Sequence, residues 1–150
     1  MINVLISRCL LGEKCRYDGR GNSIFSLDKI EKMCKLIDVC PEVDAGLDTP
    51  RPASEIKKGK VVMSDGRDVT EFFNRGAQIA LEKAKKHGCK AAILKAKSPS
   101  CGSGQVYDGT FSGNLINADG VTASLLKKNG IQVFTENQTE QILKFLEENK

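Results

Sequence analysis

Apolar residues fall along this chain in two alternating patterns. Short aliphatic runs stop at Gly, Pro or Ser, and longer stretches between them repeat an apolar residue every three or four positions. Ile2 to Ile6 is the first run and predicts a buried strand, followed by a loop from Cys9 through Gly21. Ser26 is placed to cap a helix carrying Ile30, Met33, Cys34 and Ile37. A brief strand around Ile37 to Val39 then meets the break at Cys40-Pro41. Val61-Val62-Met63 and Val69, separated by Ser64-Asp65-Gly66-Arg67, predict a hairpin or tight excursion. Thr70 is placed to cap the longest helix, which runs to about Lys86 with Gly88 beyond its end. Phe73, Ala77, Ala80, Leu81 and Ala84 supply the buried face of that helix. Ala91 to Ala96 is the next strand, and a Gly-rich loop spans Gly102 to Gly113. A helix over Val121 to Lys128, a strand over Ile131 to Phe134 and a last helix carrying Ile142, Leu143, Phe145 and Leu146 complete the series.

Strands alternating with helices predict an α/β fold with right-handed crossovers. The expectation is a single compact domain over residues 1–150, with a mainly parallel sheet flanked by helices in Rossmann-like layering. A chain of 150 residues is long enough to bury a substantial core. No apolar run approaches the roughly 20 residues needed to span a bilayer. Met1 to Ser7 lacks the basic start and the length of a secretory signal, so a cytoplasmic location is the default. Disulfides are uncommon there. The six cysteines are therefore read as reduced core residues, catalytic thiols or metal ligands.

The net charge of +4 is modest. Lys57-Lys58-Gly59-Lys60 and Lys83-Ala84-Lys85-Lys86 are small basic clusters that read as solvated surface, with attraction of phosphate-bearing molecules as the sharper alternative. The absence of Trp and the two Tyr offer no obvious platform for stacking single-stranded bases, so RNA stays open as a partner that no clear motif supports.

Cys9, Cys40 and Cys101 each stand just after an apolar run and beside Gly, Pro or Ser: Cys9-Leu-Leu-Gly, Cys40-Pro-Glu and Ser98-Pro-Ser-Cys101-Gly. Loops leaving the carboxyl ends of parallel strands gather along one edge, where ligands bind. Thiols far apart in sequence can meet there. Cys34 lies on an apolar helix face and Cys89 at the amino end of a strand, positions that suit packing. Cys15, six residues after Cys9, is a possible fourth ligand, a spare thiol or a packing residue. The spacing is unlike the paired knuckles of structural zinc, yet it does not choose between iron and zinc.

Taken in order, Cys9-Leu-Leu-Gly, Arg16-Tyr-Asp-Gly, Cys40-Pro-Glu, Pro50-Arg-Pro and Ser98-Pro-Ser-Cys-Gly closely resemble the thiouracil desulfidase family, over residues 2 to about 135. The resemblance implies a small α/β protein with a [4Fe-4S] cluster ligated by Cys9, Cys40 and Cys101. It also implies one iron that is not bound by protein and accepts sulfur from a thiolated uracil. Family members divide by substrate among free thiouracil, thiolated uridine monophosphate and thiouridine in tRNA; the tRNA-directed ones carry an additional domain.

Replacing C=S by C=O without net redox change needs an activated water and a proton for the collapsing intermediate. His87, the single histidine, ends a helix away from any evident site. Glu42 is the candidate general base, since a carboxylate shielded from water beside a negatively charged group has a raised pKa. Ser98 or Ser100 is placed to relay a proton, with Ser98 favoured by the resemblance. Arg16, Asp44 and Arg51 are the candidates for orienting substrate. Two other classes remain open: a persulfide sulfurtransferase resolved by Cys15, and a zinc-stabilised RNA-binding module using the basic clusters.

Overall fold

The structure, a computed structural model, describes residues 1–12, 16–18 and 27–150. Cys15 and the expected cap Ser26 lie outside the described residues. Strands β1 (Asn3–Ser7), β2 (Lys35–Val39), β5 (Ala91–Leu94) and β8 (Gln132–Thr135) form a sheet in the order β2-β1-β5-β8. Every pairing in it is parallel. Two hairpins sit outside this sheet: β3 (Ser54–Lys57) with β4 (Lys60–Met63), and β6 (Val106–Tyr107) with β7 (Leu115–Ile116). The helices are α1 (Leu27–Met33), α2 (Pro41–Asp44), α3 (Thr70–Lys86), α4 (Val121–Lys128) and α5 (Thr139–Glu148).

Alternation along the central strands divides the core into two layers. Leu5, Ala92 and Leu94 face one side and pack with Ala80, Leu81 and Ala84 of α3 and Ala123 and Leu126 of α4. Val4, Ile6, Ala91 and Ile93 face the other side and pack with Ile30 of α1 and Ile142 and Leu146 of α5. Both faces of β1 and β5 are covered, which is why these strands read as unbroken apolar runs. The expected α/β layering with a parallel sheet between helices is the one observed. Among the described residues no helix is long and apolar enough to cross a membrane.

Four local expectations need correction. Ile37 belongs to β2 and not to the preceding helix, which ends at Met33; Cys34 is buried one residue beyond that end. The residues after Met63 do turn back, with Val69 N–H donating to Val61 O at 2.9 Å. The hairpin partner of β4, however, is β3, whose polar Ser-Glu-Ile-Lys pattern carries no apolar run. Thr70 is the first residue of α3 and not its cap: Asp68 Oδ1 accepts the Thr70 N–H at 2.9 Å, while the Thr70 hydroxyl accepts from Val61 N–H. The Gly-rich segment after Cys101 is not bare loop either, since it holds β6 and β7.

Candidate active site at the carboxyl edge of the sheet

The chain leaves β1 toward β2 on one side and reaches β5 on the other, so the carboxyl ends of β1 and β5 open a crevice between diverging loops. Ligands bind at such a switch point in open α/β sheets. A cavity of about 450 Å³ lies there, within the range of small-molecule sites. Cys9, Cys40 and Cys101 all line it. Cys9 sits in a 3-10 turn over Arg8–Leu11 directly after β1, and Cys40 is the residue before Pro41, which opens α2. Cys101 ends the loop that leaves β5.

Each of these loops is pinned by close backbone contact. A Cβ at Gly76 of α3 would stand 2.3 Å from the Pro41 carbonyl oxygen, so the glycine lets α3 press against the Cys40-Pro41-Glu42 turn. Gly120, ahead of α4, likewise meets the Ser100 carbonyl, at 2.5 Å from a built Cβ. The first amides of α4 have no partner within the helix. Here they donate to the cysteine loop: Val121 N–H to Pro99 O at 2.9 Å and Thr122 N–H to Ser100 O at 2.8 Å. The start of α4 and the Ser98–Cys101 loop therefore satisfy each other.

The polar groups of the cavity fall into three sets. Cys101 is buried, and desolvation pushes its thiol up to about 12; hydroxyls of Ser7 and Ser100 hydrogen-bond it, while Glu42 and Cys40 add negative charge nearby. Glu42 lines the cavity and is raised above the usual carboxylate range by burial, against the opposing pull of Arg51. Arg51 Nε stands 3.2 Å from Glu42 Oε1, and its Nη1 donates to Asp48 O and Thr49 Oγ1. Ser98 Oγ accepts two amides, from Ser100 at 3.1 Å and Cys101 at 3.0 Å. Its own proton is left to donate.

The structure brings together Cys9, Cys40, Cys101, Glu42, Ser98, Arg16 and Arg51, all of which line the cavity. It does not bring Ser100 or Asp44 to that surface. Ser100 is fully buried with its hydroxyl 2.7 Å from that of Thr122, beneath Cys101. Asp44 pairs with Arg8 at 3.0 Å and accepts the Cys40 N–H at 3.1 Å. Arg8 also holds Asp38 at 2.6 Å, which keeps that carboxyl below its usual range. Lining residues that the sequence did not single out include Ser7, Lys95, Glu55, Tyr107 and Phe111. Lys95 pairs with Glu136 at 2.7 Å, and the same carboxylate accepts the Ala96 N–H, so the end of β8 steadies the loop after β5. Of these five, Ser7 and Lys95 have a readable signal, as residues that close or follow an apolar run.

Among the described residues, no three His, Cys, Asp or Glu side chains gather closely enough to hold a lone metal ion. The amino edge of the sheet holds Cys34 and Cys89, both buried and both raised by desolvation. Cys34 donates to the Ile30 carbonyl at 3.4 Å. These are packing thiols.

Comparison with known proteins places this chain in a family. The uncharacterized protein YbbK of Bacillus subtilis (strain 168) is 43% identical over 150 residues, covering 93% of this chain and 99% of that protein. The solved structure of TudS, a [4Fe-4S]-dependent thiouracil desulfidase, superposes with a TM-score of 0.93 at 42% identity, covering 98% of this chain and 99% of that one. The family described as 2-thiouracil desulfurase matches residues 4–138. Sequence and fold thus agree, and the protein belongs to the 2-thiouracil desulfurase family, enzymes that remove sulfur from thiouracil.

Proposed function

We propose that residues 1–150 form one iron–sulfur domain in which Cys9, Cys40 and Cys101 hold a [4Fe-4S] cluster. Its substrate is a thiolated uracil base, nucleoside or nucleotide, whose C=S is replaced by C=O with release of sulfide. The observation that carries this reading is the convergence of thiols from the carboxyl ends of three adjacent strands on one cavity that also holds a buried carboxylate.

The donor set fits such a group. Thiolates are the ligands of iron–sulfur clusters. One thiol comes from each of three loops, and all three line the same cavity. Desolvation keeps the Cys101 thiol protonated, and a metal bound there would supply the positive charge that holds it as thiolate, its proton being released. Three thiols for four irons leave one iron without a protein ligand. When bound, the cluster supplies a soft metal centre with affinity for sulfur.

The chain's own residues handle protons and orientation. Glu42, buried and raised, takes a proton from the water that attacks the thiocarbonyl carbon and returns it on collapse. Arg51 fixes the carboxylate and, lining the same cavity, orients substrate. Ser98, accepting two amides, donates its hydroxyl proton toward the substrate. Arg16 lines the same cavity and orients substrate. Asp44 acts through Arg8 and the Cys40 amide, and Ser100 supports Cys101 from beneath.

Glu42→Gln in anaerobically reconstituted protein is expected to keep its iron and sulfide while turnover of 2-thiouracil falls about 10²- to 10⁴-fold. Intact cluster with unchanged turnover removes Glu42 from the reaction. Loss of thiocarbonyl absorbance on incubation with 2-thiouracil, 4-thiouracil and 4-thiouridine monophosphate identifies the substrate.

A further inference from the structure

We infer that Tyr17, Tyr107 and Phe111 form an aromatic wall that stacks the pyrimidine ring of the substrate, and that Glu55 is the positioning residue holding that wall. The inference rests on the desulfurase reading of this cavity and names the surface that recognises the ring. Both tyrosines of the chain and one of its six phenylalanines line the cavity. Among the described residues four large hydrophobic side chains stay exposed, and Tyr17 and Phe111, at 42% and 38%, are two of them. Aromatics left uncovered at a cavity are ligand surface and not core.

Phe111 is held there at a cost. Its φ of +56° lies in the left-handed region, where a bulky side chain is an outlier that persists only if its surroundings over-determine it. Those surroundings are visible. Glu55 of β3, 7% exposed, uses one carboxylate oxygen to accept both the Gly109 N–H at 3.0 Å and the Phe111 N–H at 3.1 Å. A Cβ at Gly109 would stand 2.8 Å from the Ile56 carbonyl oxygen, so the loop is pressed against β3. Within the loop the Thr110 hydroxyl donates to Asp108 Oδ1 at 2.6 Å and lies within bonding distance of Ser112 Oγ. Tyr17 is tied to the Arg51 loop, its carbonyl accepting the Arg51 backbone N–H at 2.6 Å. A buried carboxylate spending one oxygen on two amides of an exposed loop fixes where Phe111 stands.

Stacking reads the flat face of a ring and is indifferent to which carbon bears the sulfur. The wall therefore selects a planar base, and the polar groups around Glu42 select its edge.

Because the chain has no tryptophan, Phe111→Trp places a lone fluorophore in the wall. In the reconstituted enzyme, titration of this variant with uracil is expected to change its fluorescence saturably. Phe111→Ala is expected to raise KM for 2-thiouracil about tenfold, with kcat within about twofold and iron content unchanged. Glu55→Ala should raise KM comparably, and Glu55→Gln should restore it, since the carboxamide oxygen accepts the same two amides. A wild-type KM in Phe111→Ala, or no saturable change in a Phe111→Trp enzyme that still turns over, overturns the wall while leaving the desulfurase reading intact. Wild-type protein that carries its cluster yet turns over no thiolated uracil defeats that reading and the wall with it.

Discussion

Cys34 and Cys101 are both buried thiols, 2% and 5% exposed, and desolvation pushes one to about 11 and the other to about 12. By burial and acidity they are near twins. They differ in where they stand and what they face. Cys34, at the amino end of β2, donates to a helix carbonyl and is packed among aliphatic side chains. Cys101, at the carboxyl edge, is hydrogen-bonded by Ser7 and Ser100 and faces Cys40 and Glu42 across a cavity. Cys89, at the amino end of β5, is likewise raised by desolvation and belongs to a buried aliphatic cluster with Ala84, Leu126 and Ile131. A buried cysteine thus shows its job through strand polarity and neighbours, not through burial or titration alone.

The largest test of this contrast is substitution at both edges. Cys9→Ala, Cys40→Ala and Cys101→Ala are each expected to abolish the broad visible absorbance of the reconstituted cluster and all turnover. Cys34→Ala and Cys89→Ala should keep full iron and sulfide content and lose only about 1 kcal/mol of stability from the vacated volume. Iron analysis, absorbance and thermal denaturation separate the outcomes. Intact iron in any of the first three removes that ligand from the set.

A second test acts on backbone. Gly76→Ala gains helix propensity worth about 1 kcal/mol, yet its Cβ would meet the Pro41 carbonyl at 2.3 Å. Overpacking of this kind typically costs about 1–3 kcal/mol, which leaves a net loss of up to about 2 kcal/mol and a fall in Tm of up to roughly 8 °C. The displaced part carries Cys40 and Glu42, and turnover should fall about tenfold or more. At the amino edge a Cβ on Gly88 meets nothing within 4 Å, though its φ is +61°. Gly88→Ala should cost about 1 kcal/mol in backbone strain and leave turnover unchanged. Equal loss of activity in both variants would break the distinction between the edges.

How far the sequence discloses these edges depends on the signal each feature leaves. The buried parallel strands are legible because both faces of β1 and β5 are covered, and the three cysteines are legible because they follow such strands. Helix α4 is legible to the residue, since Gly120 and Asn129-Gly130 bracket it. What stays hidden depends on pairing between distant polar segments. Strand β3 has a polar sequence and exists through β4, and Glu55 gains its two amide partners only when residues 109–111 arrive from the far hairpin. The two Tyr and one Phe of the cavity are scattered over nearly one hundred positions, so composition suggests no aromatic platform where the fold assembles one. Ser98 and Ser100 are equivalent in sequence, and only the contact of Ser100 with Thr122 assigns them different places.

Thiol chemistry reads the same contrast on intact protein. With its thiol near 11, Cys34 carries little thiolate at pH 8, and its burial blocks access. Alkylation of Cys34 at pH 8 should therefore proceed only as fast as the protein unfolds, and a denaturant series followed by mass spectrometry checks this. Rapid modification under native conditions would remove the packing assignment.

The smallest expected effect lies in acid. Asp119, beside α4, is pushed up by desolvation, but the Lys127 ammonium at 2.9 Å and the Gly104 N–H at 2.8 Å outweigh this and hold its carboxyl below the usual range. A group depressed on folding contributes stability that is present in full above its unfolded pKa and is lost as pH falls through the folded value. The contribution should therefore be intact at neutral pH and fade below about pH 4. The pair is partly exposed, so its worth is at most about 1 kcal/mol and falls with salt. Asp119→Asn should lower Tm slightly at pH 7 and narrow the gap to wild type below pH 4. Because Gly104 follows the cysteine loop and Gly120 packs on Ser100, loosening should appear first as faster amide exchange around residues 102–120, at the carboxyl edge. Residues around Cys34 and Cys89 should not change. Uniform loss of protection at both ends of the sheet would mean that this polar clamp has no local role and that the two edges open together.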